Sequence, residues 1–330
     1  MHASVSVGLE DINRARQRIA EMVYRTPTIR SRTLGELSNS LVHLKLENLQ
    51  VTGSFKARGA ANKISSLSDT ERAAGVIAVS TGNHGRAVAH VAKHFGIQAV
   101  VCLTTGVPAN KLRAIERLGA EIDATSESQD QAFERAAVLQ RERKLTYVPP
   151  FDDLAIIAGQ GTIGLELLDD LPDLGTAVVP LSGGGLIGGV ALALKTINPA
   201  IRVIGVSMER GAAMAESLKA AKPVEVPEQD SLADSLQGGI GADNRWTLEL
   251  VQKYVDEVLL VSEEEIAQAM SFALEEHRLV LEGAAVVGVA ALMHSHVKPS
   301  GAPVAVVLTG GNVDLEQLFE LWRERRVRQR

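Results

Sequence analysis

Five short apolar runs without polar alternation, each leading into a helical stretch, constrain this chain more than any other feature. They are residues 76–80 before 87–95, 99–103 before 109–118, 177–181 before 186–196, 202–206 before 212–220, and 304–308 before 314–325. Strands that are apolar on both faces must be covered on both faces, and interleaved helices set such strands parallel. The pattern predicts an α/β protein with doubly wound sheets. A further run at 257–261 resumes it, so 223–229 reads as a polar surface loop. The segment Tyr147-Val148-Pro149-Pro150-Phe151-Asp152-Asp153 marks a crossing, because paired prolines stop regular structure. The strand–helix units before it and after it are expected to form separate sheets.

Composition narrows the function. The chain has 330 residues, enough for two such units, and a core-forming balance of 45% hydrophobic and 22% charged residues. A formal net charge of −6 and the lack of any basic–aromatic interleave argue against a nucleic-acid partner. The basic run from Arg323 to Arg330 reads as a solvated helix end whose cations suit the dipole. The single cysteine, Cys102, excludes an internal disulfide and a thiolate zinc site. It lies in the apolar run 99–103 and reads as a buried small hydrophobe. The first eight residues lack the charged start and apolar stretch of a signal peptide. No stretch approaches the ~18 apolar residues of a membrane span. A cytoplasmic protein without a membrane partner is expected.

Four glycine-centred segments carry candidate chemistry. In Thr52-Gly53-Ser54-Phe55-Lys56-Ala57-Arg58-Gly59, Lys56 sits at a helix start that Ser54 could cap. The positive helix pole there depresses a lysine pKa and favours the neutral amine that attacks a carbonyl; a plain surface lysine is the competing reading. Ser80-Thr81-Gly82-Asn83-His84-Gly85 joins a strand to a helix, with N–H groups that could hold an anion or a ring hydroxyl, or that simply form a turn. Ser182-Gly183-Gly184-Gly185-Leu186 exposes several N–H donors at a strand end, and phosphate is the natural guest. Gly183, Gly185 and Gly188 also satisfy a dinucleotide fingerprint, with Glu209 at about the required ~20 residues on, so a nicotinamide-dependent oxidoreductase stays a rival. Thr309-Gly310-Gly311-Asn312 ends the last strand; Thr309 could bond a heterocyclic nitrogen or cap the helix near Asp314.

The combination favours one cofactor. Pyridoxal phosphate requires an amine for its aldehyde, donors for its phosphate, a partner for its ring nitrogen and a polar group near its 3′-oxygen. Each requirement has a candidate at a strand or helix end. A nucleotide site accounts for the glycines but not for Lys56 together with Thr309.

These motifs resemble the fold-type-II pyridoxal-phosphate enzymes, specifically the threonine/serine dehydratase and serine racemase family. The resemblance runs from Arg25-Thr26-Pro27 through Leu44-Lys45-Leu46-Glu47-Asn48, Gly53-Ser54-Phe55-Lys56, Gly82-Asn83-His84-Gly85, Gly159-Gln160-Gly161-Thr162, the 183–186 loop, Ala233-Asp234 and Glu282 to Thr309-Gly310-Gly311-Asn312-Val313-Asp314. It implies two doubly wound domains of the tryptophan synthase β-like type: residues 1–66 with 153–330 as the large cofactor-binding domain, and 75–150 as a small mobile one. It also implies that Lys56 carries pyridoxal 5′-phosphate as an imine and takes the substrate's α-proton, with Phe55 beside it. Asn83 would bond the 3′-oxygen, Ser182, Gly183, Gly184, Gly185 and Leu186 would cradle the phosphate, and Thr309 would face the pyridine nitrogen. A neutral hydroxyl there leaves the ring unprotonated and suits β-elimination over transamination. Ser80, Thr81, Gly82, Asn83 and His84 would hold the substrate carboxylate. The implied activity is removal of water and ammonia from a β-hydroxy amino acid, in a homodimer. The chain stops soon after its last predicted helix, so a catabolic enzyme without a regulatory domain is expected.

Three positions depart from the family pattern. Thr81 stands where racemising members have serine, which bears on the alternative of an amino-acid racemase of the same fold. Ser207 stands where many members have an acidic cation ligand; Glu209 could be a displaced one, and no metal is assigned. Arg86 replaces the usual glutamine and suggests a substrate with an extra anionic or acyl group. The runs 80–86, 207–214 and 233–236 are most similar to the dehydratase-like branch of hydroxyectoine utilization.

Overall fold

The computed structural model describes residues 7–80, 82–105, 107, 109–298 and 301–328. Its strands are β1 (Thr28–Ser31), β2 (Val42–Leu46), β3 (Val76–Val79), β4 (Ala99–Thr104), β5 (Glu121–Ser126), β6 (Thr146–Tyr147), β7 (Thr176–Pro180), β8 (Arg202–Met208), β9 (Glu257–Val261) and β10 (Val304–Leu308). Those with continuous apolar runs are the ones that the pattern predicts. The strands it misses have a physical excuse: β1, β5 and β6 are sheet edges, and β2 carries His43 and Lys45. A half-buried or polar-bearing strand lacks the signal of one covered on both faces.

The strands divide between a six-stranded sheet, in the order β1-β2-β10-β7-β8-β9, and a four-stranded sheet, in the order β5-β4-β3-β6. Among the strand pairs of the described residues, β1 with β2 is antiparallel and the others are parallel. In β7, Val178 faces one apolar cluster while Ala177 and Val179 face another, so both sides of the larger sheet are covered. Helix Gly283–Met293 lies in the first cluster and helix Gly185–Ile197 in the second. The smaller sheet repeats the arrangement: Val76 and Ala78 face one cluster, Ile77 and Val79 another.

Helix Lys56–Ser65 packs against helix Leu154–Asp170, and the contact is close enough to require glycine. A Cβ on Gly159 would lie 2.6 Å from the Arg58 carbonyl oxygen. Beside this crossing is a buried ionic cluster. The Arg58 guanidinium donates to both Glu47 (2.8 Å) and Glu166 (2.7 and 2.9 Å), and Lys45 Nζ lies 2.7 Å from Glu166 and donates to the Thr26 carbonyl. Each charge therefore has an opposite partner, the condition on which burial of ions depends.

Helix starts follow capping chemistry. Asp153 accepts from the N–H groups of Ala155 and Ile156, while Ser68 with Glu71 and Ser262 with Glu265 form capping boxes. The helix expected from residue 87 begins earlier, as Asn83–His94. Ser54 does not cap as expected. Phe55 occupies that position, and the Ser54 hydroxyl is buried without a hydrogen-bond partner. Thr309 is not a cap either; Asp314 Oδ1 accepts from the Glu316 and Gln317 N–H groups instead. Among the described residues, no helix is long and apolar enough to cross a membrane.

Candidate active site

Parallel strands point their carboxyl ends the same way, and a crevice opens where neighbouring strands send their connections apart. β2, β10 and β7 are adjacent in the larger sheet, and their chain continuations carry Lys56, Thr309 and the triple glycine. β3, inside the smaller sheet, continues into Ser80, Gly82, Asn83 and His84. A cleft of ≈ 1400 Å³ lies between these strand ends. Its lining includes Phe55, Lys56, Ser80, Gly82, Asn83, His84, Ser182, Gly183, Gly184, Gly185, Leu186 and Thr309. Thr81 lies outside the described residues.

Backbone pairing holds Lys56 and Thr309 together. The Phe55 N–H donates to the Thr309 carbonyl at 3.0 Å, the Gly311 N–H donates to the Gly53 carbonyl at 3.0 Å, and Ser54 bridges Gly310. Lys56 Nζ donates to the Pro150 carbonyl at 2.7 Å and stands 5.2 Å from the Phe55 ring centre. Burial pulls its pKa down to about 8, against the opposing pull of the Glu282 carboxylate. Desolvation therefore makes this amine easier to deprotonate. His84 is buried, its Nε2 sits 2.8 Å from the Val148 carbonyl, and burial together with the Lys56 charge pushes its pKa down to about 3. The ring is neutral, so Nε2 carries the proton that it gives to the carbonyl.

The Asn83 amide does not turn back on its own backbone. Its Nδ2 donates to both Glu282 oxygens (2.8 and 3.1 Å), and its Oδ1 accepts from Asn312 Nδ2 at 2.7 Å. Glu282 and Asn312 are thus structural partners that residue-by-residue reasoning did not assign to the site. Glu282 stands 199 positions from its partner, and only the Gly310-Gly311-Asn312 context hinted at Asn312. Arg86 is not among the lining residues; its Nη1 donates to Asn312 Oδ1 at 2.6 Å. Arg86, expected as a substrate contact, is thus bonded to Asn312, the partner of Asn83.

The glycine loop has its own constraints. Gly184 has φ +86°, and a Cβ on Gly183 would strike the Phe151 ring at 2.3 Å. Gly184 caps helix Gly185–Ile197, whose first-turn N–H groups and positive pole face the strand end. Ser207 is buried in β8 and Glu209 is exposed beyond it. Glu209 does not line the cleft, so the acidic residue of a nicotinamide site is missing from it. Among the described residues, no group of three or more His, Cys, Asp or Glu side chains could hold a metal ion. Cys102 is buried and its thiol is pushed up to about 11, chiefly by desolvation.

These donors fit pyridoxal phosphate. An amine of lowered pKa, a side-chain amide, a strand-end hydroxyl and a glycine-bounded helix N-terminus line one cleft. No nucleotide needs that set.

Comparison with known proteins agrees. The family described as pyridoxal-phosphate dependent enzyme matches residues 19–310. A putative threonine dehydratase of Sinorhizobium fredii is 50% identical over 315 residues, which is 96% of this chain and 95% of that protein. An L-threonine ammonia-lyase of Thermotoga maritima is 44% identical over 312 residues, covering 94% of this chain and 77% of the relative. The structure of maize serine racemase superposes with a TM-score of 0.90 at 32% identity, covering 98% of this chain and 99% of the other.

Proposed function

The chain belongs to the pyridoxal-phosphate-dependent enzyme family and is an ammonia-lyase of the threonine dehydratase type, and from that premise we propose threonine as its substrate and Lys56 as its catalytic base. The fold is the fold-type-II one, and the cofactor is pyridoxal phosphate. The observation that carries the site assignment is the backbone pairing of the Lys56 and Thr309 segments at the mouth of a cleft that Gly183, Gly184, Gly185 and Asn83 also line.

When bound, pyridoxal phosphate withdraws electrons from the substrate's α-carbon, so that its C–H bond becomes acidic enough to break. Lys56 Nζ, with a pKa of about 8, accepts that proton at neutral to mildly alkaline pH. The N–H groups that open helix Gly185–Ile197 neutralise the phosphate. Thr309 offers a neutral hydroxyl to the ring nitrogen and so withholds full protonation. Asn83 donates toward the ring oxygen, and Ser80, Gly82 and His84 surround the substrate carboxylate. The β-hydroxyl leaves with a proton as water, and the unsaturated amine released tautomerises to an imine that water hydrolyses, giving ammonia and a 2-oxo acid.

The unit of residues 75–150 is proposed as a small domain that closes on a large one built from 1–66 and 153–330. A homodimer is proposed from the family resemblance and is read out by sedimentation; a cytoplasmic location is proposed from the sequence and is read out by cell fractionation. A degradative role is supported by the catabolic threonine dehydratases among the relatives. A narrower reading, membership in the hydroxyectoine-utilization branch, rests on the 80–86, 207–214 and 233–236 runs. Turnover of threonine, serine, 3-hydroxyaspartate and hydroxyectoine separates the two.

The purified protein should show a visible absorption band, release ammonia from threonine, and yield a borohydride-reduced adduct on Lys56. Label on another lysine would remove the assignment. Lys56→Ala should lower kcat by at least about 10³-fold, since proton transfer and covalent attachment are lost together.

A further inference from the structure

We propose that Arg86 is a positioning residue: through Asn312 it fixes the orientation of the Asn83 amide at the cofactor site, and it does so across the seam between the two sheets. The inference rests on the pyridoxal-phosphate reading of the cleft.

Arg86 lies one turn into helix Asn83–His94, which packs on the four-stranded sheet. Asn312 follows β10 of the six-stranded sheet. Four side chains form a line across the seam. Arg86 Nη1 donates to Asn312 Oδ1 at 2.6 Å, Asn312 Nδ2 donates to Asn83 Oδ1 at 2.7 Å, and Asn83 Nδ2 donates to the Glu282 carboxylate at 2.8 Å.

The ends of this line give it a direction. A guanidinium can only donate, and a carboxylate can only accept. An isolated amide presents oxygen and nitrogen in almost the same shape, so either orientation fits sterically. Between an obligate donor and an obligate acceptor, both amides keep a single orientation. Turning Asn312 over would set its NH₂ against the Arg86 donor and its oxygen against Asn83 Oδ1. Turning Asn83 as well would set that oxygen against Glu282. The Thr52 carbonyl, which accepts from Asn312 Nδ2 at 2.9 Å, reinforces the same choice. Space for it comes from Gly53, where a Cβ would lie 2.7 Å from Asn312 Oδ1.

The charge matters too. Burial disfavours the Arg86 guanidinium, and the Glu282 carboxylate offsets that cost. The same carboxylate acts on Lys56. Arg86 thus balances an anion that the reactive amine also feels, although it does not line the cleft itself. Glutamine at this position could still donate to Asn312, but it brings no charge and can itself turn over.

The test compares holoenzymes of the wild type, Arg86→Gln, Arg86→Ala, Asn312→Ala and the Arg86→Ala/Asn312→Ala double variant. Trp246, which lines the cleft, reports pyridoxal-phosphate affinity by fluorescence quenching, and the visible band reports hydrogen bonding to the ring. Arg86→Ala is expected to weaken cofactor affinity about tenfold, the loss of one charge-assisted hydrogen bond, and to shift the band. Arg86→Gln should lose about threefold or less. The double variant should be no worse than Asn312→Ala, because both remove the same line of contacts. For threonine, kcat should fall while KM stays within about twofold.

An unshifted band with unchanged affinity in Arg86→Ala overturns the proposal, as does simple addition of the two single effects. So does a rise in KM confined to anionic substrates with an unaltered spectrum, which would make Arg86 a substrate contact. If Arg86→Ala also lowers the melting temperature of the apoprotein, Arg86→Gln decides: a variant that regains the melting temperature yet keeps the band and the affinity of Arg86→Ala refutes the role. A wild-type protein that takes up no cofactor removes the parent reading before any substitution is made, so the two failures are distinct.

Discussion

At the scale of single residues, the chemistry turns on how burial treats two nucleophiles. Lys56 and Cys102 are both desolvated, yet the outcomes are opposite because the charged form is protonated in one and deprotonated in the other. Burial drives the amine down to about 8 and the thiol up to about 11. Only the neutral amine attacks an aldehyde, so capture of pyridoxal phosphate by the apoprotein should accelerate with pH through about 8. Growth of the visible band after mixing measures this, and a midpoint near the ordinary value of 10.5 would contradict it. Conversely, a soluble thiol reagent at pH 8 should leave Cys102 untouched in the native protein and modify it once denaturant is added. Sequence reasoning identified both residues from their neighbours. It credited the helix pole with the lysine shift and did not foresee the desolvation, a quantity that depends on chain segments far away in sequence.

At the scale of elements, helix Lys56–Ser65 is aimed by its partners more than by its own cap. Ser54 does not cap it; Arg58, one residue beyond Ala57, is clamped between Glu47 and Glu166. Breaking a buried pair leaves an uncompensated charge, so Glu166→Ala should cost about 3–5 kcal/mol in urea unfolding at pH 7. Burial alone would raise the Glu47 pKa from 4.5, but Arg58, Thr26 and Lys45 outweigh it and hold it lower. Its contribution to stability is therefore present in full above about 4.5 and is lost as pH falls through the lower folded value. Unfolding measured from pH 6 to pH 3 should show that loss, and Glu47→Gln should flatten it while starting from lower stability. Elements with continuous apolar runs were legible in the sequence. The cluster was not, because Lys45, Glu47, Arg58 and Glu166 look like ordinary surface charges until β2 and two helices are brought together.

At the scale of the whole molecule, the cleft is shared by two sheets, and the small one holds Asn83 and His84 against the lysine and glycine loops of the large one. A ligand that touches both must stabilise the assembled form by mass action. Saturating pyridoxal phosphate should raise the melting temperature by several degrees, with threonine analogues adding to it. Asn312→Ala, which cuts the contact across the seam, should shrink that increment more than it lowers the melting temperature of the apoprotein. Scanning calorimetry with and without cofactor measures both.

Local sequence determined the elements and the kinds of chemistry they carry. Apolar runs buried on both faces dictate parallel strands, and glycine, lysine and hydroxyl residues at their ends name the cofactor, because these are properties of neighbouring residues. Tertiary structure alone decided which side chains answer one another: Asn83 with Glu282, Arg86 with Asn312, Lys56 with the Pro150 carbonyl. Those pairings join residues dozens to hundreds of positions apart, and no local propensity encodes them. They follow from the order in which strands enter two sheets and from the cost of leaving a buried polar group without a partner.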